Sequence, residues 1–240
     1  MKAILFDLDG TLLPMNTDTF LNAYFKAIAA HVKHMIEPDA LIEHIISSTK
    51  AVIANEDAQS TNEQVFMVHF LQRSGLKRET IWPLFDQFYS EVFPQLHPHV
   101  HPTPLARLIV EESLQQKYRL VIATNPVFPR TATFERMKWA GIADFPFEWV
   151  TVYEESHFCK PSLSYYKEIC AHINVKPEDG IMIGNDVQED MVASQLGMKT
   201  FLVTDYAIDR GNPSYPIDDC GTLENLYEKL KNHQGVFADQ

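Results

Sequence analysis

Four short apolar runs, Ala3–Phe6, Arg119–Thr124, Gly180–Gly184 and Thr200–Thr204, each break off at a polar or turn-forming residue. Glu148–Val152 reads as a fifth. A sheet with one wet face alternates apolar and polar residues, and these runs do not. They suit parallel strands covered on both faces. Helix signals fall between them. Thr103 before Pro104 is an N-cap followed by proline at the first helical position, Arg130–Trp139 stops short of Gly141, and Ser162–His172 and Asp190–Leu196 follow the same logic. Strand and helix in alternation predict an α/β fold with a Rossmann-like parallel sheet core.

One long segment interrupts the alternation. From about Asn16 to Phe93 the pattern is helical throughout. Leu21, Phe25, Ile28, Val32 and Met35 lie on one face, and Thr61 with Gln64 has capping-box spacing ahead of a helix that stops near Gly75. Ile81, Leu84, Phe88 and Val92 form another apolar face. The expected organisation is a core of residues 1–14 and 97–240 with an all-helical unit, 15–96, inserted after the first strand. Its rings Phe66, Phe70, Trp82, Phe85, Phe88 and Tyr89 are expected mainly to form the insertion's own core. His97, His99 and His101 alternate with Pro98 and Val100, so an extended chain would place them on one face. A solvated or hinge-packing role is expected of them before a metal site.

Charge narrows the partners. Twenty Lys and Arg against 32 Asp and Glu give a net charge of −12, which offers no footprint for nucleic acid or an anionic membrane. An anionic substrate then needs local positive charge, and a metal ion is one source. Three cysteines without CxxC spacing suit neither a disulfide framework nor a structural zinc site, and point to a reducing compartment. The apolar start of the chain meets Asp7 too early for a signal peptide, and no run is long enough to span a bilayer. A cytoplasmic location is expected, and the oligomeric state is not readable.

The chemistry sits at the strand ends. Asp7 and Asp9, in Asp7-Leu8-Asp9-Gly10-Thr11, directly follow the first run, and ligands of open α/β sheets bind at the carboxyl ends of strands. Residues two apart on a strand end face the same side. A second acidic pair, Asp186 and Asp190, follows the Gly180–Gly184 run. Carboxylates gathered at neighbouring strand ends repel one another unless a cation is present, and hard oxygen ligands favour Mg²⁺. Thr124 and Asn125 end another run, and Lys160 precedes a helix. A hydroxyl, an amide and an ammonium are groups that a phosphoryl oxygen accepts from. No GxxxxGK[ST] or GxGxxG occurs.

Together, Asp7-Leu8-Asp9-Gly10-Thr11, Thr124, Lys160-Pro161 and Gly184-Asn185-Asp186 with Asp190 resemble, in order, the four motifs of the haloacid dehalogenase superfamily, and its phosphatases in particular. The resemblance implies a helical cap for the insertion. It implies Asp7 as a nucleophile forming an aspartyl-phosphate, and Asp9 as the acid that protonates the leaving oxygen and the base for the later water. It implies Mg²⁺ held by the Asp7 carboxylate, the Asp9 main-chain carbonyl and Asp186. Thr124, Lys160 and in part Asn125 would bind phosphoryl oxygens, with Asp190 orienting Lys160 or a metal-bound water. The dehalogenases lack an acid at the position of Asp9, and the phosphonate-cleaving members carry a small residue there. The expected activity is hydrolysis of a small phosphorylated metabolite. The alternatives are a sugar phosphomutase, or a non-catalytic phospho-acceptor or binding module.

Overall fold

The computed structural model describes residues 2–238. Six parallel strands make one sheet: β1 (Ala3–Phe6), β2 (Arg119–Ile122), β3 (Trp149–Val150), β4 (Gly180–Gly184), β5 (Lys199–Val203) and β6 (Asp219–Gly221), in the order β3-β2-β1-β4-β5-β6. Strand β1 is central, pairing Ala3 with Arg119 on one side and with Gly180 on the other. Its continuous apolar run has a direct cause. Ile4 and Phe6 enter one hydrophobic cluster and Ala3 and Leu5 the other, so both faces of the strand are dry.

Two of the expected runs gain or lose a residue or two at their ends, Ala3–Phe6 and Gly180–Gly184 hold unchanged, and Glu148–Val152 contracts to the two residues of β3. Strand β6 was not expected. It is an edge strand whose three residues, Asp219, Cys220 and Gly221, are polar or small and partly exposed. An edge strand is held by its main chain against β5, so no apolar run marks it.

Helices α5 (Pro104–Gln115), α6 (Arg130–Trp139), α7 (Leu163–His172) and α8 (Leu223–Lys231) belong to the sheet-bearing part, α5 capped by Thr103 and α6 ending just before Gly141. The segment after Asp190 is not an α-helix but a six-residue 3-10 helix, Met191–Leu196, closed by left-handed Gly197. Asp186 and Asp190 therefore sit in a turn, the Asp190 N–H donating to the Asp186 carbonyl at 2.8 Å.

The insertion contains α1 (Thr17–Val32), α2 (Pro38–Ile53), α3 (Asn62–Ser74) and α4 (Arg78–Gln87). The Thr61–Gln64 capping box forms as the spacing predicts, and Gly75 closes α3 in the left-handed region. The face from Ile81 to Val92 does not run as one α-helix. It passes through a π turn, Phe88–Val92, into a 3-10 helix, Phe93–His99. The wider turn brings the Phe93 N–H to the Phe88 carbonyl and keeps both rings buried. The histidines are consequently not on one extended face. His97 and His99 belong to the 3-10 helix, and His97 packs edge-on against Trp139 with ring centroids 5.9 Å apart. The two crossings between insertion and core run side by side, the His101 N–H donating to the Pro14 carbonyl at 2.8 Å.

Candidate active site

The three central strands, β2, β1 and β4, release their chains at the same edge of the sheet, so Asp7, Thr124 and Asp186 emerge as neighbours. The connection from β3 to α7 brings Lys160 to them. All the predicted site residues except Lys160, namely Asp7, Asp9, Thr124, Asn125, Asp186 and Asp190, line a single cavity of about 490 Å³ between core and insertion.

Lys160 is almost wholly buried and ties the carboxylates together. Its ammonium donates to Asp7 Oδ1 at 2.8 Å and to Asp190 Oδ1 at 2.6 Å. Burial works against the charged lysine, but the Asp190 and Asp7 carboxylates override it and raise its pKa well above the ordinary value. Burial likewise pushes Asp190 upward, with the Lys160 ammonium opposing it. The other oxygen of Asp7 accepts from the Thr11 hydroxyl at 2.9 Å, and Oδ2 of Asp190 accepts from the Asp186 N–H at 3.0 Å.

Two glycines make this packing possible. Gly10 has φ +84°, and a Cβ there would also lie 2.3 Å from Asn185 Nδ2. A Cβ on Gly184 would lie 2.1 Å from Asp190 Oδ2.

Asp9 has a different partner. Its Oδ2 accepts from Arg136 Nη1, while its Oδ1 is buried with no hydrogen-bond partner among the described residues. Although 24 % of the side chain remains exposed, the surrounding protein desolvates the carboxyl. This raises its pKa, with Arg136 pulling down and Asp7 pushing up. Arg136 is 1 % exposed, lies 4.7 Å over the Phe128 ring, and donates to Thr133 Oγ1 at 3.2 Å and to the Ala132 carbonyl at 3.3 Å. Nothing in its sequence surroundings marks it. A buried arginine on a helix is visible only once its acid, 127 positions away, is beside it.

Two further residues escaped the sequence reading. Arg210 Nη1 donates to Asp186 Oδ1 at 2.7 Å, alongside the main-chain N–H groups of Gln188 and Glu189. Glu189 lines the cavity, its carboxyl raised by burial, and accepts from Asn125 Nδ2 at 3.2 Å. The Asn125 amide oxygen accepts from the Lys160 N–H. Asn125 thus fastens neighbouring loops together while lining the cavity. The Thr124 carbonyl is fixed by the hydroxyls of Thr151 and Tyr165, at 2.6 and 2.9 Å, which leaves its side chain on the cavity wall.

No group of three His, Cys, Asp or Glu side chains among the described residues is drawn together as a metal cluster. Each of the two strand-end carboxylates meets a protein cation, Asp7 the Lys160 ammonium and Asp186 the Arg210 guanidinium. The donor set is still hard oxygen. Asp186 Oδ2 has no hydrogen-bond partner among the described residues, and Asp7 lines the same cavity. That chemistry fits Mg²⁺ and does not suit a softer metal.

The insertion seals one side of the cavity. Asn62, at the start of α3 and fully buried, donates from its side chain to the carbonyls of Pro126 and Phe158, and its N–H donates to the Ser156 carbonyl. Of the six rings expected mainly to form the insertion's own core, Phe70, Trp82, Phe85 and Phe88 are buried in the hydrophobic core with Phe66 and Tyr89 packed against it, and Phe66, Trp82, Phe85 and Tyr89 also line the cavity. No helix among the described residues is long and apolar enough to cross a membrane.

The sequence profile described as haloacid dehalogenase-like hydrolase matches residues 4–203. A phosphoglycolate phosphatase of Vibrio parahaemolyticus is 26% identical over 233 residues, covering 96% of this chain and 95% of that one. A glyceraldehyde 3-phosphate phosphatase of Methanothermobacter thermautotrophicus is 27% identical over 238 residues, covering 94% of this chain and 99% of its own. Among solved structures, a phosphatase of this family from Thermococcus onnurineus superposes with a TM-score of 0.60 at 21% identity, covering 96% of this chain and 98% of that one. A 2-haloacid dehalogenase from Pseudomonas syringae superposes with a TM-score of 0.65 at 18% identity, covering 97% and 99%; at such identities the likeness is one of fold.

Proposed function

We propose that this chain, which belongs to the haloacid dehalogenase-like hydrolases, is a Mg²⁺-dependent phosphomonoesterase that works through an aspartyl-phosphate on Asp7. The relatives named as phosphatases support phosphate-ester hydrolysis as the reaction class. The observation that carries the reading is the unlike treatment of two carboxylates two residues apart. Asp7 has hydrogen-bond donors on both oxygens, one of them a buried ammonium, which fixes the carboxylate in the orientation a nucleophile needs. Asp9 is desolvated, has one oxygen without a partner and has a raised pKa, which favours the protonated form an acid needs.

In the first step an Asp7 oxygen forms a bond to phosphorus as the bond from phosphorus to the ester oxygen breaks, and the proton of Asp9 goes to the departing alcohol. In the second, water forms a bond to phosphorus as the bond from phosphorus to the Asp7 oxygen breaks, and gives its proton to the now ionised Asp9, which releases inorganic phosphate and restores both residues. Lys160, the Thr124 side chain and the Asn125 amide supply donors near the phosphoryl oxygens, and Asp190 keeps Lys160 in place. Asp7, Asp186 and the Asp9 carbonyl would hold Mg²⁺, which when bound offsets the negative charge of carboxylates and phosphate together. The division into a catalytic core, 1–14 and 97–240, and a cap, 15–96, is part of the same proposal. Closure of the cap at the Asn62 seam limits the water that reaches the site.

Phosphate release from a panel of monoesters, with Mg²⁺ and with EDTA, tests the reading. The expected result is metal-dependent release that Asp7→Asn reduces roughly 10⁴-fold or more. Equal release by the variant, or none from any ester, would overturn it.

A further inference from the structure

We infer that the cavity is built for a phosphate ester of an apolar, ring-sized alcohol, and not for a phosphorylated two- or three-carbon acid. The inference rests on the phosphomonoesterase reading and adds the substrate class to it. The insertion side of the cavity carries Phe25, Ile46, Phe66, Trp82 and Phe85. Ile46 is 38 % exposed and Phe25 and Phe66 are partly so, and together with the neighbouring rings they give that wall a continuous apolar surface for a ligand to cover. The rings are not loose. Phe66 lies 6.4 Å from Trp82, and Trp82 lies 5.7 Å from Phe85, in a preformed wall.

The cations complete the argument. Five acidic side chains line the cavity, Asp7, Asp9, Asp186, Glu189 and Asp190, against two basic ones, Lys50 and Arg210. Arg210 is bonded to Asp186, and Lys50 is a solvent-exposed side chain. Buried Lys160 is already shared between Asp7 and Asp190. A phosphoryl group draws on Lys160 and the metal, and buried Arg136 is bonded to Asp9, which leaves no buried cation on the cavity wall for a second anionic group. The carboxylate of a phosphoglycolate-like ester would enter a cavity lined by five carboxylate side chains and lose hydration with no buried cation on the wall to pair it. A phenyl or branched alkyl group removes the same surfaces from water favourably. About 490 Å³ is also far more room than a two-carbon leaving group fills.

The test uses the full chain and two matched pairs of probes. Binding of 3-phenylpropylphosphonate is compared with that of 3-phosphonopropionate in the presence of Mg²⁺, by calorimetry or by the fluorescence of the tryptophans. Hydrolysis of 2-phenylethyl phosphate is compared with that of phosphoglycolate; both leaving groups are alkyl alcohols, so intrinsic reactivity does not favour the aromatic ester as it would with a phenol. The phenyl phosphonate is expected to bind at least about tenfold tighter, and its ester to show a kcat/KM at least about tenfold higher. Ile46→Lys, at a position exposed enough to tolerate a charge, supplies a cation on that wall and is expected to shift both ratios toward the small acid by at least about tenfold. Equal or tighter binding of 3-phosphonopropionate, or preferred hydrolysis of phosphoglycolate, overturns the inference and leaves the phosphatase reading standing. Tighter binding of the phenyl phosphonate without hydrolysis of either ester supports the inference and overturns the phosphatase reading.

Discussion

Arg136 on α6 donates from Nη1 to Oδ2 of Asp9, so the guanidinium sits on one oxygen of the carboxyl that the reaction needs as its acid and leaves the other without a partner. Burial raises the pKa of Asp9 and Arg136 lowers it. The acid is thus set by two opposing influences, and only one of them can be removed by substitution without dismantling the site.

Replacing Arg136 by Met keeps the buried volume and removes the charge. The pKa of Asp9 then rises further, and both limbs of the pH–rate profile move to higher pH, with kcat falling at neutral pH because the second step needs ionised Asp9. Stability changes in the same sense. A carboxyl with a folded pKa above its unfolded value binds more protons when folded, so stability falls as pH rises between the two values. The loss is about 3–5 kcal/mol on the alkaline side, where an unpaired buried charge would remain, and smaller in mild acid. Urea unfolding across pH, alongside the rate profile, checks both; a mere packing defect would leave the profile where it was.

Lys160→Met leaves the Asp7 and Asp190 carboxylates close together without their shared cation. Activity is expected to fall at least about 10²-fold, and unfolding to become easier by roughly 3–5 kcal/mol at neutral pH. Asp190, pushed up to about 7 by burial while Lys160 still opposes the shift, goes higher once that ammonium is gone. The variant therefore regains stability as pH is lowered. Adding Asp190→Asn to it should recover part of the loss at alkaline pH, where Asp190 would otherwise be ionised without a cation, and a double-mutant cycle by denaturation measures how much.

Gly184→Ala tests the close approach directly. The new Cβ would lie 2.1 Å from Asp190 Oδ2, on a carboxylate that Lys160 and the Asp186 N–H already hold in place. We expect a destabilisation of roughly 1–3 kcal/mol from overpacking, with kcat falling more than KM rises. Circular dichroism melts and steady-state kinetics on the same preparation separate the two effects.

Arg210 competes for Asp186. Its side chain is about half exposed, so its charge is partly screened, yet it donates to the carboxylate expected to take the metal. Arg210→Ala should lower the Mg²⁺ concentration for half-maximal activity by several-fold, as expected when a like charge leaves a cation site. A Mg²⁺ titration of activity at two ionic strengths reads this, and the difference between variant and parent should shrink at high salt.

Much of this was legible in the chain. The runs ending at Asp7, Thr124 and Gly184 announced parallel strands buried on both faces, and the polar residues just beyond them could only lie at one edge of the sheet. The Thr61–Gln64 box and the Thr103–Pro104 cap fixed helix starts within a residue. These signals are local, because a strand, a cap or a turn is specified by residues a few positions apart. What they could not give is the identity of each partner. Asp9 faces Arg136, Asp186 faces Arg210, Asn125 faces Glu189 and Asn62 reaches the Pro126 and Phe158 carbonyls, each across tens of positions of chain. The edge strand β6 and the four rings turned toward the cavity belong with them. Burial and pairing of charge, and the facing of one helix's side chains toward another element, depend on the packing of the whole chain. The sequence by itself determined which residues stand at the strand ends. Only the tertiary structure decided which cation each carboxylate meets and how little water surrounds it, and these two quantities set Asp7, beside a buried ammonium, apart from Asp9, desolvated with one oxygen unpartnered.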